Sequence, residues 1–258
     1  MSGEHVLVER DGRLTIVAMN RPASHNALNA EAHEELAAAF NAFATDPDQW
    51  VAIITGSGSK AFCAGHDLKQ QASGGGMATP PSGFAGLTSR FDMTKPVIAA
   101  VNGVAMGGGF EIVLACDIVV AAAGASFALP EPRVGLAALA GGLQRLPRSI
   151  GLKHAMGMML TGRRVTAEEG MRLGFVNEVV EDDVVEAAKR WTQDILACSP
   201  MAIRATKEAV LQGLDEPTEV FLQRQWSMPA MTAMLASQDA VEDPAAFAAK
   251  RSPEWSGR

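Results

Sequence analysis

The sequence predicts an α/β fold with a helical C-terminal part, on two observations. Strand and helix signals alternate as far as DIVVAAA at 117–123, and mostly helical segments follow. The first strands are VLVER and LTIVAMN. Asp11-Gly12 lies between them and supplies the positive-φ residues of a tight hairpin turn. Asn29 is placed to cap a helix running to about Ala44, with Glu31 in its first turn and Leu36, Phe40 and Phe43 on one face. VAIIT (51–55) and PVIAAV (96–101) are short apolar runs closed by Gly or Asn-Gly, the pattern of buried strands. Between them, SGGGMATPPSG (73–83) reads as a mobile surface loop. A helix is expected from the Gly107–Gly109 run to about Cys116, then a strand in DIVVAAA. Further helices are expected over 142–160, 166–173, 182–197, 200–213 and 217–236.

Composition narrows the function. The 258 residues are 48% apolar and 20% charged, as in a globular protein, and carry a net charge of −7. That balance argues against a broad nucleic-acid groove, which needs a basic surface. From Pro96 to Pro130 there are only two charges, Glu111 and Asp117. The longest uncharged part, Pro96 to Phe110, is 15 residues with Asn102 and four glycines, short of the roughly 20 apolar residues of a membrane span. The start, MSGEHVLVERDG, lacks the basic and apolar regions of a signal peptide. Cys63, Cys116 and Cys198 suit reduced thiols in a cytoplasm better than a disulfide framework.

Several motifs fail on context. Gly56-Ser57-Gly58-Ser59-Lys60-Ala61 follows a strand as a dinucleotide turn does, but no helix or acid follows at the required distance. His5, His25, His33, His66 and His154 are scattered, without ligand spacing for a metal.

Chemistry points instead to Gly107-Gly108-Gly109-Phe110-Glu111. Glycines admit a substrate close to the backbone, and first-turn amides have no partner inside a helix. An amide such as that of Gly108 would point outward with the helix dipole behind it, and Glu111 would lie one turn away on the same face. The bland alternative is a glycine-rich helix packed on a strand, with Glu111 exposed or paired. A second carboxylate, Glu131, stands between Pro130 and Pro132, although Arg133 could simply pair with it. Two carboxylates divide acid and base roles when their surroundings push their pKa values apart.

These residues resemble the enoyl-CoA hydratase/isomerase (crotonase) superfamily along nearly the whole chain. The matching blocks are NRPASHNALN (20–29), KAFCAGHDLK (60–69), KPVIAAVNGVAMGGGFEIVLACDI (95–118) and FALPEPRVGL (127–136). GGLQRL (141–146), TGRRVTAEEGMRLGFVNEVV (161–180) and AFAAKRSPEW (246–255) follow in order. The resemblance implies a spiral of ββα units over 1–196, carrying the active site, and a helical region over 197–258 for oligomerisation and CoA contact. It implies a homotrimer or dimer of trimers acting on an acyl-CoA thioester, with CoA as part of the substrate and no separate cofactor or metal. By motif, the amides of His66 and Gly108 would form an oxyanion hole for the thioester enolate. Glu131 would deliver a proton to C2 and Glu111 would activate water. Substrate or CoA contacts would come from Ala23, Ala27, Leu28, Ala64, Asp67, Leu68 and Lys69, and from Leu139, Phe247 and Lys250.

Retention of both glutamates resembles the hydratases, which add water to trans-2-enoyl-CoA. The same fold also hosts Δ3-Δ2 isomerases, carnitinyl-type dehydratases, and acyl-CoA- or RNA-binding homologues. One departure stands out: in Ala138-Leu139-Ala140-Gly141-Gly142, Leu139 replaces a family glycine whose backbone helps to place the catalytic water. Its side chain could narrow the acyl pocket.

Overall fold

A computed structural model describes residues 3–67 and 79–258. The chain opens with β1 (Val6–Asp11) and β2 (Leu14–Met19), an antiparallel hairpin in which Asp11 pairs with Leu14. Gly12 takes the positive φ that this turn demands, +57°. Helix α1 (Ala30–Thr45) starts where Asn29 caps it, its side chain accepting from the Ala32 amide at 3.0 Å. Leu36, Phe40 and Phe43 form its buried face, as their spacing required.

The chain then passes repeatedly between two sheets. β3 (Val51–Gly56) leads to β4 (Ala61–Cys63), β5 (Val97–Val101) to β6 (Val104–Met106), and β7 (Ile118–Ala122) to β8 (Ser126–Ala128). The first member of each pair joins a six-stranded sheet, ordered β1-β2-β3-β5-β7-β10, with β10 at Glu178–Val180. The second member joins a four-stranded sheet, ordered β4-β6-β8-β9, with β9 at Val165–Thr166. Beyond the antiparallel hairpin and the antiparallel β8–β9 pair, the ladders are parallel. This is the expected ββα spiral. Every residue of β3 and β5 is buried, in keeping with strands covered on both faces. Asn102, between β5 and β6, fixes one crossing: its Nδ2 donates to the carbonyls of Gly56 (2.8 Å) and Gly58 (2.6 Å), and its Oδ1 accepts from the Gly56 amide.

Helix α2 (Gly108–Ala115) follows β6 and begins in the glycine run. Helices α3 (Gly142–Ile150) and α4 (Leu152–Thr161) correct the expectation of one helix over 142–160. Gly151, at φ +80°, ends the first and caps the second. α5 (Ala167–Leu173) and α6 (Val184–Leu196) begin at Thr166 and Asp183, whose side chains cap them. In the C-terminal region α7 (Pro200–Gly213) lies where expected, but the single helix anticipated over 217–236 is two. α8 (Thr218–Arg224) and α9 (Pro229–Leu235) are separated by a short 3-10 turn, because Pro229 has no amide to continue the ladder. A last helix, α10 (Asp239–Ala248), lies outside the expected set. Of the anticipated 73–83 loop, residues 79–83 are described, and they form neither helix nor strand.

Candidate active site

The two acids are brought together by packing between the elements that bear them. Phe110, which precedes Glu111 on α2, meets Phe127 of β8 at 5.3 Å and Phe175 at 5.1 Å between ring centroids, and Phe127 meets Phe175 at 5.1 Å. Such aromatic pairs contribute about 1 kcal/mol each beyond their burial. They clamp the helix carrying Glu111 to the strand that runs into Leu129-Pro130-Glu131. Glu131 itself opens a short 3-10 turn, Glu131–Val134, held between its two prolines.

Glu111 is 3% exposed, neither the surface charge nor the ion-paired residue of the bland alternative. Its Oε1 accepts from the Gly142 amide at 2.8 Å. Burial pushes its pKa up to about 7. The Gly142 and Ala140 amides oppose that rise, and the Glu131 charge adds to it. Glu131 is half-buried; burial raises its pKa too, and its Oε2 is enclosed with no hydrogen-bond partner among the described residues. Arg133 does not pair with it: the guanidinium Nε donates to the Thr161 carbonyl at 3.0 Å. A Cβ on Gly107 would lie 3.1 Å from Glu131 Oε1, so the carboxylate sits directly over that glycine.

The glycines of this region hold backbone against backbone. Gly65, at φ +92°, has no room for a side chain: its Cβ would lie 2.9 Å from the Met106 carbonyl and 3.2 Å from the Gly108 nitrogen. A Cβ on Gly108 would strike the Phe84 ring, and one on Gly109 the Cys63 carbonyl. His66 forms an isolated parallel bridge with Leu28, whose hydrogen bonds run from Leu28 N to Gly65 O (2.8 Å) and from Asp67 N to Leu28 O (2.9 Å). The His66 amide is therefore outside that bridge. Neither it nor the Gly108 amide donates to an acceptor among the described residues.

The neighbouring loop is stitched to the same place. Asn26 is fully buried, with Oδ1 accepting from the Arg21 amide and Nδ2 donating to the Ser57 and Ala61 carbonyls. Ala64 N donates to His25 O, and Arg21 pairs with Asp67 at 3.0 Å. Ala23 is exposed, Ala64 half-buried and Ala27 buried. Leu28 has its side chain in the core and both backbone groups engaged, so it acts here as scaffold for Gly65 and Asp67. Leu139 is 78% exposed and directly precedes Ala140, whose amide acts on Glu111 together with that of Gly142. Leu68 and Lys69 lie outside the described residues. Phe247 and Lys250 are exposed at the end of α10, and no hydrogen bond or ion pair among the described residues ties them to the carboxylates.

Sequence reasoning missed four participants: the Gly142 and Ala140 amides, Phe84 and His33. Gly142 was signalled by Gly141-Gly142 opening a helix, as Gly107–Gly109 does. His33 and Phe84 carry no comparable signal, because only the fold brings them to Gly108 and His66. Among the described residues no cluster of His, Cys, Asp or Glu is placed to hold a metal ion, and no helix is long and apolar enough to cross a membrane.

A ββα spiral with one buried and one half-buried carboxylate beside glycine-rich backbone defines the class. The family model for enoyl-CoA hydratase/isomerase matches residues 9–258, and the chain belongs to that family. It is 43% identical to a carnitinyl-CoA dehydratase of Salmonella typhi, over 99% of each chain. Among solved structures it is similar to an enoyl-CoA hydratase of Mycobacterium tuberculosis H37Rv (38% identity, TM-score 0.93, covering 99% of this chain and 100% of that one). A carnitinyl-CoA hydratase of Mycobacterium avium matches at 38% identity and a TM-score of 0.79, over 100% of both chains. The fold is thus the crotonase fold, and the protein is a hydratase/dehydratase-type enzyme.

Proposed function

We propose that the chain is a hydro-lyase acting on CoA thioesters, adding water across the C2–C3 bond of a trans-2-enoyl-CoA or removing it from the 3-hydroxyacyl-CoA. The observation that carries this reading is the pair of acids: buried Glu111, held by the Gly142 amide with its pKa near 7, and half-buried Glu131 with an unpartnered Oε2. Syn addition of water requires one group to take a proton and another to give one, and carboxyl groups whose pKa values burial raises suit that exchange. In this reading Glu111 takes the proton from water as it attacks C3, and Glu131 protonates C2. Negative charge grows on the thioester oxygen during attack, and the free amides of His66 and Gly108 would stabilise it by about 3 kcal/mol each. Chemistry of this kind calls on backbone donors and carboxylates alone.

Dehydration of a carnitinyl-type thioester is the second reading, favoured by 43% identity to a carnitinyl-CoA dehydratase over the full chain. It uses the same acids in the reverse direction and differs in the substituent at C4. We also infer a homotrimer or a dimer of trimers built through 197–258, supported by the exposed Leu211, Leu214, Leu222 and Trp226 of that region.

The test is spectrophotometric: purified protein is mixed with crotonyl-CoA, longer enoyl-CoAs and crotonobetainyl-CoA, and loss of the conjugated thioester absorbance is followed. Hydration by the wild type that drops at least a hundredfold in both Glu111→Gln and Glu131→Gln supports the assignment. A wild type no faster than both variants on every substrate overturns it. A sizing column tests the oligomer.

A further inference from the structure

Two histidines unrelated in sequence meet beside the glycines of the site. His33, on α1, is 1% exposed, and its Nδ1 accepts from the Ala85 amide at 3.0 Å. Burial, reinforced by His66, lowers its pKa to about 4, so at neutral pH the ring is uncharged. With Nδ1 an acceptor, the single ring proton resides on Nε2. That N–H is enclosed and has no acceptor among the described residues. The Nε2 of His66 is enclosed and unpartnered in the same way. The two rings lie 6.4 Å apart between centroids, with planes 20° from parallel. Phe84 meets His33 edge-on at 4.5 Å, and its ring tip rests against Gly108. One wall beside the His66 and Gly108 amides thus carries imidazole, phenyl and imidazole, with two polar atoms unpaired. Enclosed polar side-chain atoms without partners are rare in folded proteins, and two of them side by side next to the candidate oxyanion amides point to a ligand that completes them.

We propose that His33 and His66 form a polar acyl subsite selecting CoA thioesters whose acyl chain bears an oxygen substituent, the His33 Nε2–H donating to that oxygen. The inference rests on the hydro-lyase reading for the presence of a thioester at these amides. An all-carbon chain leaves the enclosed His33 donor unsatisfied, whereas a hydroxyl or carbonyl oxygen accepts from it. His66 then completes the contact as acceptor from a hydroxyl or donor to a carbonyl, according to its tautomer. A carboxylate would also accept, but two uncharged imidazoles offer its charge no counterpart. The shared chemistry is therefore a neutral oxygen acceptor. A site built to hydrogen-bond a substrate oxygen discriminates strongly against the analogue that lacks it.

The experiment uses saturated thioesters, which cannot be hydrated, titrated calorimetrically into the full chain. The probes are hexanoyl-CoA, its 4-, 5- and 6-hydroxy derivatives, 5-oxohexanoyl-CoA and the six-carbon chain ending in a carboxylate. At least one hydroxy or oxo probe is expected to bind about tenfold or more tightly than hexanoyl-CoA. His33→Phe should abolish that gain, read as the ratio of the oxygen probe to hexanoyl-CoA within the same variant. His33→Gln, which keeps an N–H, should retain part of it. If His33→Phe does not fold, His33→Asn takes its place, its shorter amide reaching Ala85 but not the ligand. The subsite is overturned if no neutral oxygen probe gains over hexanoyl-CoA, or if the gain survives His33→Phe, or His33→Asn where that takes its place. Turnover of trans-2-hexenoyl-CoA is measured separately. Its absence beside an intact binding preference sinks the hydro-lyase reading, and turnover without preference sinks the subsite alone.

Discussion

The Gly142 amide donates at 2.8 Å to Glu111 Oε1, joining the first turn of one glycine-led helix to the first residue of another. A helix N-terminus favours the anionic carboxylate, while the apolar surroundings favour the neutral acid. Burial wins, and the group is left poised near neutrality rather than fully ionised.

The pH dependence of catalysis follows from that balance. If Glu111 is the base, it must be ionised, and it becomes so above about 7. We expect kcat/KM on crotonyl-CoA to be bell-shaped, falling at low pH as Glu111 is protonated and at high pH as Glu131 loses the proton it must deliver. A rate independent of pH through this range would remove Glu111 from the role of base.

Stability should move the other way. The folded-state pKa of Glu111 is raised from 4.5 to about 7, so the unfolded chain ionises first as pH rises. Its contribution is most favourable below 4.5, declines to about 7 and is then lower by about 3 kcal/mol. Glu111→Gln keeps an acceptor for Gly142 and does not titrate. In urea unfolding, the variant should gain on the wild type by up to about 3 kcal/mol between about pH 4.5 and about pH 8. A difference that stays constant across this range contradicts the placement of a buried, titrating carboxyl group.

Two glycine substitutions should fail in different ways. Gly109→Ala would drive a methyl group into the Cys63 carbonyl, a collision with backbone that cannot be relieved locally, and should cost more than about 3 kcal/mol. Gly65→Ala meets the Met106 carbonyl at 2.9 Å and a φ of +92°, but its main casualty is the Gly108 amide 3.2 Å away. We expect the second variant to lose at least about a hundredfold in kcat. Equal activity at equal folded fraction would show that this amide is idle.

The side chain of Leu139 is 78% exposed. Leu139→Gly should change unfolding free energy by less than about 1 kcal/mol. Its effect should appear instead in KM across acyl chain lengths. A large loss of stability would mean that the leucine is buried by a partner subunit.

One carboxylate gathers several bonds of the C-terminal tail. Asp239 is 3% exposed and accepts from Ser199 Oγ (2.9 Å), Ser256 N (2.8 Å) and Gly257 N (3.2 Å). Asp239→Ala should cost about 2 kcal/mol and expose the last residues to limited proteolysis. An uncut tail in the variant would show that the other ties, Trp255 Nε1 to Ala197 O, Glu254 N to Glu242 Oε1 and Gln238 N to Arg258 O, hold it without Asp239.

Legibility in the sequence tracked the range of the interaction. The Asp11-Gly12 hairpin, the Asn29 cap and the glycine-led helix are decided by neighbours within a few residues, and each lies where its residues indicated. β4, β6 and β8 have three residues each, too few to show a period, and exist because a parallel neighbour is waiting. At the site, Glu111 and Glu131 stood out as isolated charges in an apolar stretch. The Gly142 amide and the His33 ring did not, since one is backbone and the other an ordinary side chain until Ala85 and His66 surround it.

In both sheets the strands lie in the order in which they occur along the chain. Each new strand pairs with one already synthesised: Val51 with Leu14, Val97 with Ala52, Ile118 with Ile98. No strand has to wedge itself between two earlier ones. Assembly on the ribosome can therefore proceed by accretion at a single growing edge, and a chain released early would end in a narrower sheet, not in one with a gap.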